Sequence, residues 1–357
     1  MKRILCIIES LGSGGAERQM TGLAAMLKQQ GYQVEVWYYV KKEFYLPYLH
    51  DNEVCSRYLS DATKRGNRFH SLWKHVNSYR PDTIISYSSS ASMICCVMKM
   101  FGSKFNLIVS ERNTTQKITN REKCRFILFR WADHIVPNSH SQAAFIRKHF
   151  PKLSDKVKVI TNFVDTDKFQ PSEKRNHINE FTKIIGVGRL MVQKNIMRFI
   201  EAISKVTSHG IKLKVEWFGH DLKDTYSSDC HKIVKENGLD EIFEFRSPSS
   251  DIQQEYTKAD VFCLPSLFEG FPNVLCEAMS CGIPVLCSRV CDNPDIVKEG
   301  HNALLFDPLS VDDIVDKIET FLALSDKDKM KMGKKSREIA LTLFSREKFL
   351  SKYFEII

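Results

Sequence analysis

No stretch of the 357 residues reaches the roughly 18 uninterrupted apolar residues of a membrane-spanning helix. The longest apolar stretch, 91–101, is short and carries Lys99. The apolar run after Lys2 and Arg3 ends at Glu9, short of the roughly 7–15 residues that an export signal needs. A first strand of a parallel sheet fits it better, and the cytoplasm is the expected compartment. The 11 cysteines form no C-x-x-C pair. Cys276, Cys281, Cys287 and Cys291 cluster, but their spacings fit no zinc pattern, and they read as structural thiols. Neither G-x-G-x-x-G nor the P-loop pattern occurs, and no nucleic-acid motif is present.

What is there is ordinary for a soluble globular chain: 43% hydrophobic and 27% charged residues. The length suggests two domains. The net charge of +9 is uneven. Residues 1–170 hold 26 Lys+Arg against 14 Asp+Glu, and the remainder holds 26 against 29. The positive first half suits an anionic membrane surface or a phosphorylated substrate, and it also fits a merely solvated basic face.

Strand-like runs alternate with helix-like ones through the first half, at Arg3–Ile8, Gln33–Val40, Thr83–Tyr87, Asn106–Ser110, His134–Pro137 and Lys156–Ile160. The helix-like runs include Ala16–Gln30 and Ser71–Tyr79. The pattern restarts at Lys183–Val187 and continues through Lys214–Phe218, Ile242–Phe245, Val261–Leu264, Pro284–Cys287 and Ala303–Phe306. The expected architecture is α/β, with two Rossmann-like doubly wound parallel-sheet domains. Their expected bounds are 1–167 and 183–340. A polar linker is expected over 168–182, and a C-terminal helix over 341–357 that packs back on the first domain.

Ligands in such sheets sit outside the carboxyl ends of the strands, and each motif follows a predicted strand. Gly12-Ser13-Gly14-Gly15-Ala16-Glu17-Arg18 follows the first, a turn whose helix N-terminus suits an anion. Gly188-Arg189-Leu190 and Lys194 open the second half, and two cations on one loop can converge on a diphosphate. Glu269 and Glu277 lie eight apart, the first on a loop and the second in a helix over Asn273–Cys281, so that both can face one pocket. A carboxylate there can accept sugar hydroxyls.

These segments, GRLMVQK at 188–194, EGFPNVLCEAMSCGIPV at 269–285 and ITNFVDTDKF at 160–169, resemble family 4 of the retaining glycosyltransferases over nearly the full length. The resemblance implies the GT-B fold, with its two domains facing an interdomain cleft. It implies transfer of a sugar from a nucleotide-sugar, UDP-hexose or UDP-N-acetylhexosamine, to a polyprenyl-diphosphate-linked saccharide. The implied setting is bacterial O-antigen, capsule or exopolysaccharide synthesis at the inner-membrane surface. No cofactor, no metal and no nucleic-acid partner is implied. Position by position, Arg189, Lys194 and Glu269 match the catalytic residues. Gly14, Gly15, Gly188, Arg246, Gly270, Phe271, Asn273, Val274 and Glu277 match donor-binding positions. Glu17, Arg18, Glu111, Arg112 and Asn113 match the acceptor side, where Arg112 could grip a phosphate. A sugar-nucleotide epimerase of the same fold and a non-catalytic sugar-binding protein are the alternatives.

The chain departs from the family pattern in places. Phe163 stands where a glycine is usual, so that turn must use another geometry. Asp165-Thr166-Asp167 imitates the metal-binding D-x-D of a different fold but matches an interdomain segment here. Residues 121–130 (REKCRFILFR), with Lys64, Arg65 and Arg68, suit a membrane interface, and equally an ordinary half-buried helix.

Overall fold

The apolar runs that alternate with helical segments fold as strands buried on both faces: Ile4–Ile7 and Val261–Leu264 are wholly inaccessible. The computed structural model describes residues 1–172 and 181–357. They form two units, residues 1–163 with 347–357, and residues 164–346.

The first unit carries strands β1 (Arg3–Ile7), β2 (Gln33–Tyr38), β3 (Cys55–Tyr58), β4 (Thr83–Ser86), β5 (Asn106–Glu111) and β6 (His134–Pro137). Its helices include α1 (Gly15–Gln29), α2 (Leu46–Asp51), α3 (Arg65–Tyr79), α4 (Ser89–Met100), α5 (Asn120–Leu128) and α6 (His140–His149). The sheet order is β3-β2-β1-β4-β5-β6, and all pairings are parallel. One face buries Ile4, Cys6 and Ile85 against α1 residues such as Leu23 and Leu27. The other buries Leu5, Ile7 and Ile84 with Leu72, Cys95 and Phe126.

The second unit repeats the plan with β7 (Thr182–Val187), β8 (Leu213–Phe218), β9 (Phe243–Arg246), β10 (Val261–Leu264), β11 (Val285–Ser288) and β12 (Ala303–Phe306). Between and after them run α7 (Ile196–Ser208), α8 (Thr225–Glu236), α9 (Ile252–Thr257), α10 (Asn273–Ser280), α11 (Asn293–Ile296), α12 (Val311–Leu322) and α13 (Asp326–Leu343). The order is β12-β11-β10-β7-β8-β9, again all parallel. Both sheets reverse their strand order beside their first strand, β1 and β7, where such sheets bind ligands.

Some details differ from expectation. Lys156–Ile160 is not a full strand: only Val157 bridges Ile135, with Lys158 and Ile160 donating to Ile135 and Pro137 at the sheet edge. The short edge strand Cys55–Tyr58 is too polar to stand out by hydrophobicity. The first unit ends at Phe163 rather than 167, because Val164 and Phe169 pack in the second unit's core. Residues 341–346 also stay with the second unit, and residues 173–180 of the expected linker lie outside the described residues.

The chain returns to the first unit through α14 (Arg346–Phe354), which buries Phe349, Leu350 and Tyr353. The Tyr353 hydroxyl meets that of Tyr87 at 2.7 Å. Asn106 donates to the Ile356 carbonyl at 2.6 Å. Phe163 sits in this junction with an ordinary negative φ. Gln19, fully buried, binds the Phe163 carbonyl at 2.8 Å and its N–H at 3.0 Å, and the ring packs 5.0 Å from Phe349. Gly22 makes room for it, since a Cβ there would overlap the Phe163 ring. The bulky residue is accommodated by a glycine on the helix facing it.

Gly22→Ala is therefore expected to destabilise the protein by about 1–3 kcal/mol through overpacking, although alanine is the better helix former. Denaturant unfolding should show it, and pairing the change with Phe163→Leu should recover much of the loss.

Candidate functional site

In the second unit, three loops leave the carboxyl ends of the adjacent strands β11, β10 and β7. The loop after β7 and the loop after β10 are joined by a series of hydrogen bonds. Asn195 donates from Nδ2 to the Pro265 carbonyl at 3.1 Å and to Pro308 at 2.7 Å. The Leu267 N–H donates to the Gln193 carbonyl at 2.8 Å, and Gln193 Nε2 donates to the Phe268 carbonyl at 2.8 Å. The series closes on Lys194 Nζ and Glu269 Oε1, 2.6 Å apart, with side chains only 13% and 8% exposed. Removing one partner of so dry an ion pair is strongly destabilising.

Glycines permit this approach. Gly219 passes so close to the Gly188 carbonyl that a Cβ on it would overlap that oxygen. The Trp217 indole N–H holds the same carbonyl at 2.8 Å. A Cβ on Gly188 would lie 2.8 Å from Cε of Lys194. Arg189 is exposed, and its guanidinium has no partner among the described residues. It is the exposed cation of this loop, and Lys194 is the largely buried one.

Glu277 is buried in α10 and accepts from the Tyr256 hydroxyl at 3.4 Å. Glu269 thus meets Lys194, and Glu277 meets Tyr256. Phe271 is buried, its ring edge-on to Phe344, while Gly270, Asn273 and Val274 are half-buried. Helix α10 begins at Asn273, after Pro272 and with no side-chain cap, and its N-terminal dipole is positive there. Arg246, matched to a donor-binding position, sets its guanidinium against Glu244 at 2.8 Å and Glu216 at 3.6 Å. At the end of edge strand β9, those carboxylates are its nearest opposite charges. Asp165 pairs with Arg346 and accepts the Lys168 N–H at 3.2 Å, so it serves as a loop cap. Among the described residues no three His, Cys, Asp or Glu side chains gather as a metal-binding group. Cys276, Cys281 and Cys287 are buried.

In the first unit, Gly14 caps α1 and Gly15 begins it, both exposed. Glu17 folds back over Gly14 and accepts from Ser10 Oγ at 3.2 Å, with Arg18 half-buried beside it. Glu111 ends β5, buried, 3.2 Å from Arg125 and 3.5 Å from Gln142 Nε2. Burial pushes its carboxyl up to about 7, with Arg125 pulling the other way. Asn113 is exposed. Arg112 does not present a free guanidinium for an acceptor phosphate. It lies 3.7 Å over the Tyr87 ring, donates to Asn162 at 2.7 Å and to the Tyr353 hydroxyl at 3.0 Å, and so anchors α14.

Reading the sequence missed Gln193, Asn195, Trp217, Ser288 and Asn293, whose work is to join loops. Asn195 alone carried a signal. It stands at φ +56 just before a helix, a conformation asparagine tolerates better than most residues.

Family models and individual proteins match this arrangement. A model described as "Glycosyltransferase Family 4" matches residues 13–168, and one described as "Glycosyl transferases group 1" matches residues 167–339. The amylovoran biosynthesis glycosyltransferase AmsD of Erwinia amylovora is 24% identical over 312 residues, 84% of each chain. The N-acetylgalactosamine-N,N'-diacetylbacillosaminyl-diphospho-undecaprenol 4-alpha-N-acetylgalactosaminyltransferase of Campylobacter jejuni is 25% identical, covering 81% of each. Among solved structures, Anabaena Alr3699/HepE in complex with UDP-glucose superposes with a TM-score of 0.86 at 18% identity, covering 99% of each chain.

The raised Glu111 carboxyl gives a pH signature. A carboxyl raised in the fold favours the protonated native state, a contribution complete below its unfolded value and lost as pH rises through about 7. Relative to the native chain, Glu111→Gln should therefore gain stability between pH 5 and pH 8, by at most about 3 kcal/mol. Urea unfolding at both pH values measures it, and a pH-independent difference would show that Glu111 ionises freely in the fold.

Proposed function

Because the chain belongs to the family 4 glycosyltransferases, we propose that it is a retaining, metal-independent enzyme that moves a hexose or N-acetylhexosamine from a UDP-sugar to a polyprenyl-diphosphate-linked saccharide. The Lys194–Glu269 pair beside the unpartnered Arg189 is the observation that carries this reading. As the bond from the anomeric carbon to the donor phosphate breaks, negative charge grows on the leaving diphosphate. Lys194, Arg189 and the N-terminal dipole of α10 supply positive charge where it develops, already oriented and partly dry. The acceptor hydroxyl bonds to the anomeric carbon on the face the diphosphate leaves, and its proton passes to a leaving-phosphate oxygen. In this reading Glu269 holds Lys194 and positions the sugar, and Glu277 receives the ribose.

The acceptor class rests on the relatives: the Campylobacter enzyme is named for a diphospho-undecaprenol saccharide, and AmsD for amylovoran biosynthesis. Glu17 and Arg18 on α1, with Asn113 after β5, are its proposed contacts. No helix among the described residues is long and apolar enough to cross a membrane. Peripheral docking of the basic first unit on the inner face of the cytoplasmic membrane completes the proposal. Within 121–130, Phe126 and Phe129 are core residues, but Ile127 is 57% exposed, and Phe69 and Phe101 are 42% and 68% exposed. Lys64, Arg65, Arg121 and Lys123 are exposed as well. Apolar groups among basic ones suit an anionic bilayer.

Arg189→Ala should fold normally, since Arg189 is exposed and unpaired, yet lower donor turnover by about 10²–10³-fold. Hydrolysis of a UDP- and GDP-sugar panel with EDTA present is the assay. Full turnover in the variant would remove the leaving-group role, and a strict need for divalent metal would remove the metal-free mechanism. On vesicles, the chain should co-sediment with anionic lipid and be released as salt rises. Equal recovery on neutral vesicles would count against electrostatic docking.

A further inference from the structure

Cys291 lies in the loop after β11, half-buried, at φ +48, a left-handed conformation that favours glycine and that side chains rarely adopt. Its Sγ accepts the backbone N–H of Glu269 at 3.5 Å. A few residues earlier, Ser288 Oγ donates to the Ser266 carbonyl at 2.6 Å. Asn293, fully buried, braces the same loop by donating to the Ser288 carbonyl at 2.9 Å. The β11 loop thus grips the Ser266–Glu269 segment at both of its ends. The β7 loop holds that segment from the opposite side, through Gln193, Lys194 and Asn195.

Glu269 is where the two grips meet. Lys194 holds its carboxylate and Cys291 holds its backbone. We propose that Cys291 is a positioning residue for the transfer reaction: its thiol sets the backbone of Glu269, and through that carboxylate the direction in which Lys194 presents its ammonium. The inference rests on the donor-site reading of Lys194 and Glu269 given above.

The physical argument is one of opposed effects. Glycine at position 291 would adopt φ +48 without strain, so stability alone favours it. Glycine offers no acceptor to the Glu269 N–H. The strained cysteine keeps an acceptor at the residue that carries the carboxylate, opposite the grip of Lys194. Sulfur suits the task, because its long bond to Cβ and soft lone pairs reach an amide at 3.5 Å. Serine should replace it in part.

Cys291→Gly, Cys291→Ser and Cys291→Ala in the full chain test this, with three readouts. The Gly variant should match or exceed the native Tm. Backbone amides of the segment 266–271 should nevertheless exchange with deuterium roughly fivefold faster in it, and less so in the Ser variant. On whichever UDP- or GDP-sugar the native chain hydrolyses, kcat should fall about tenfold in the Gly and Ala variants, with a smaller change in KM and recovery in the Ser variant. Unchanged exchange over 266–271 in the Gly variant would overturn the proposal. So would a loss of Tm and activity in parallel across all three variants, the mark of a merely structural residue. Arg189→Ala separates the two readings. If its turnover is intact, the donor-site reading fails. If its turnover is lost while Cys291→Gly keeps native exchange and kcat, only the role of Cys291 fails.

Discussion

The geometry of the second unit depends on how two loops are held together at the carboxyl ends of β7 and β10. Strands end, their backbone groups lose ladder partners, and each orphaned group needs another. Here those partners come from the neighbouring loop: Gln193 for Leu267 and Phe268, Asn195 for Pro265. A charged pair at the end of such a series inherits its rigidity. Lys194 and Glu269 meet at 2.6 Å because everything behind them is already in place. Had the two loops been solvated separately, the same residues would have formed an exposed ion pair of little worth.

Rigidity here has an electrostatic consequence. A lysine buried against one carboxylate is held in a site with little water. Arg189 on the same loop is exposed. A largely buried and an exposed cation on one loop are what the proposed departure of a diphosphate would use, the buried one with no reorganisation.

The first unit handles its charges differently. Arg112, on the acceptor side by resemblance, is engaged by Tyr87, Asn162 and Tyr353, and Arg125, in the segment suited to a membrane interface, by Glu111. Arg112 ties the returning helix α14 to the sheet, while Gln19 and Gly22 seat Phe163 at the point where the chain leaves the unit. Cations that a sequence offers as ligand contacts thus become parts of the scaffold.

The sequence by itself determined the fold class, the two successive sheets and the segments that lie at the carboxyl ends of the strands. Fully buried parallel strands need continuous apolar runs, and glycine turns, helix starts and paired glutamates are local patterns. It also indicated Arg189, Lys194 and Glu269 as one group, on motif rather than geometry. Only the tertiary structure decided which partner each residue takes. It paired Glu269 with Lys194 and Glu277 with Tyr256, turned Arg246 to Glu216 and Glu244, and drew Arg112 into the anchor of α14. It gave Asn195, Ser288 and Cys291 partners that no spacing marks. It moved the unit boundary to Phe163, because Gln19 and Gly22, more than a hundred residues away, complete that residue's surroundings. The division follows from range: periodicity and turn chemistry act over a few residues, whereas hydrogen-bond satisfaction and burial of charge depend on whatever the fold brings near.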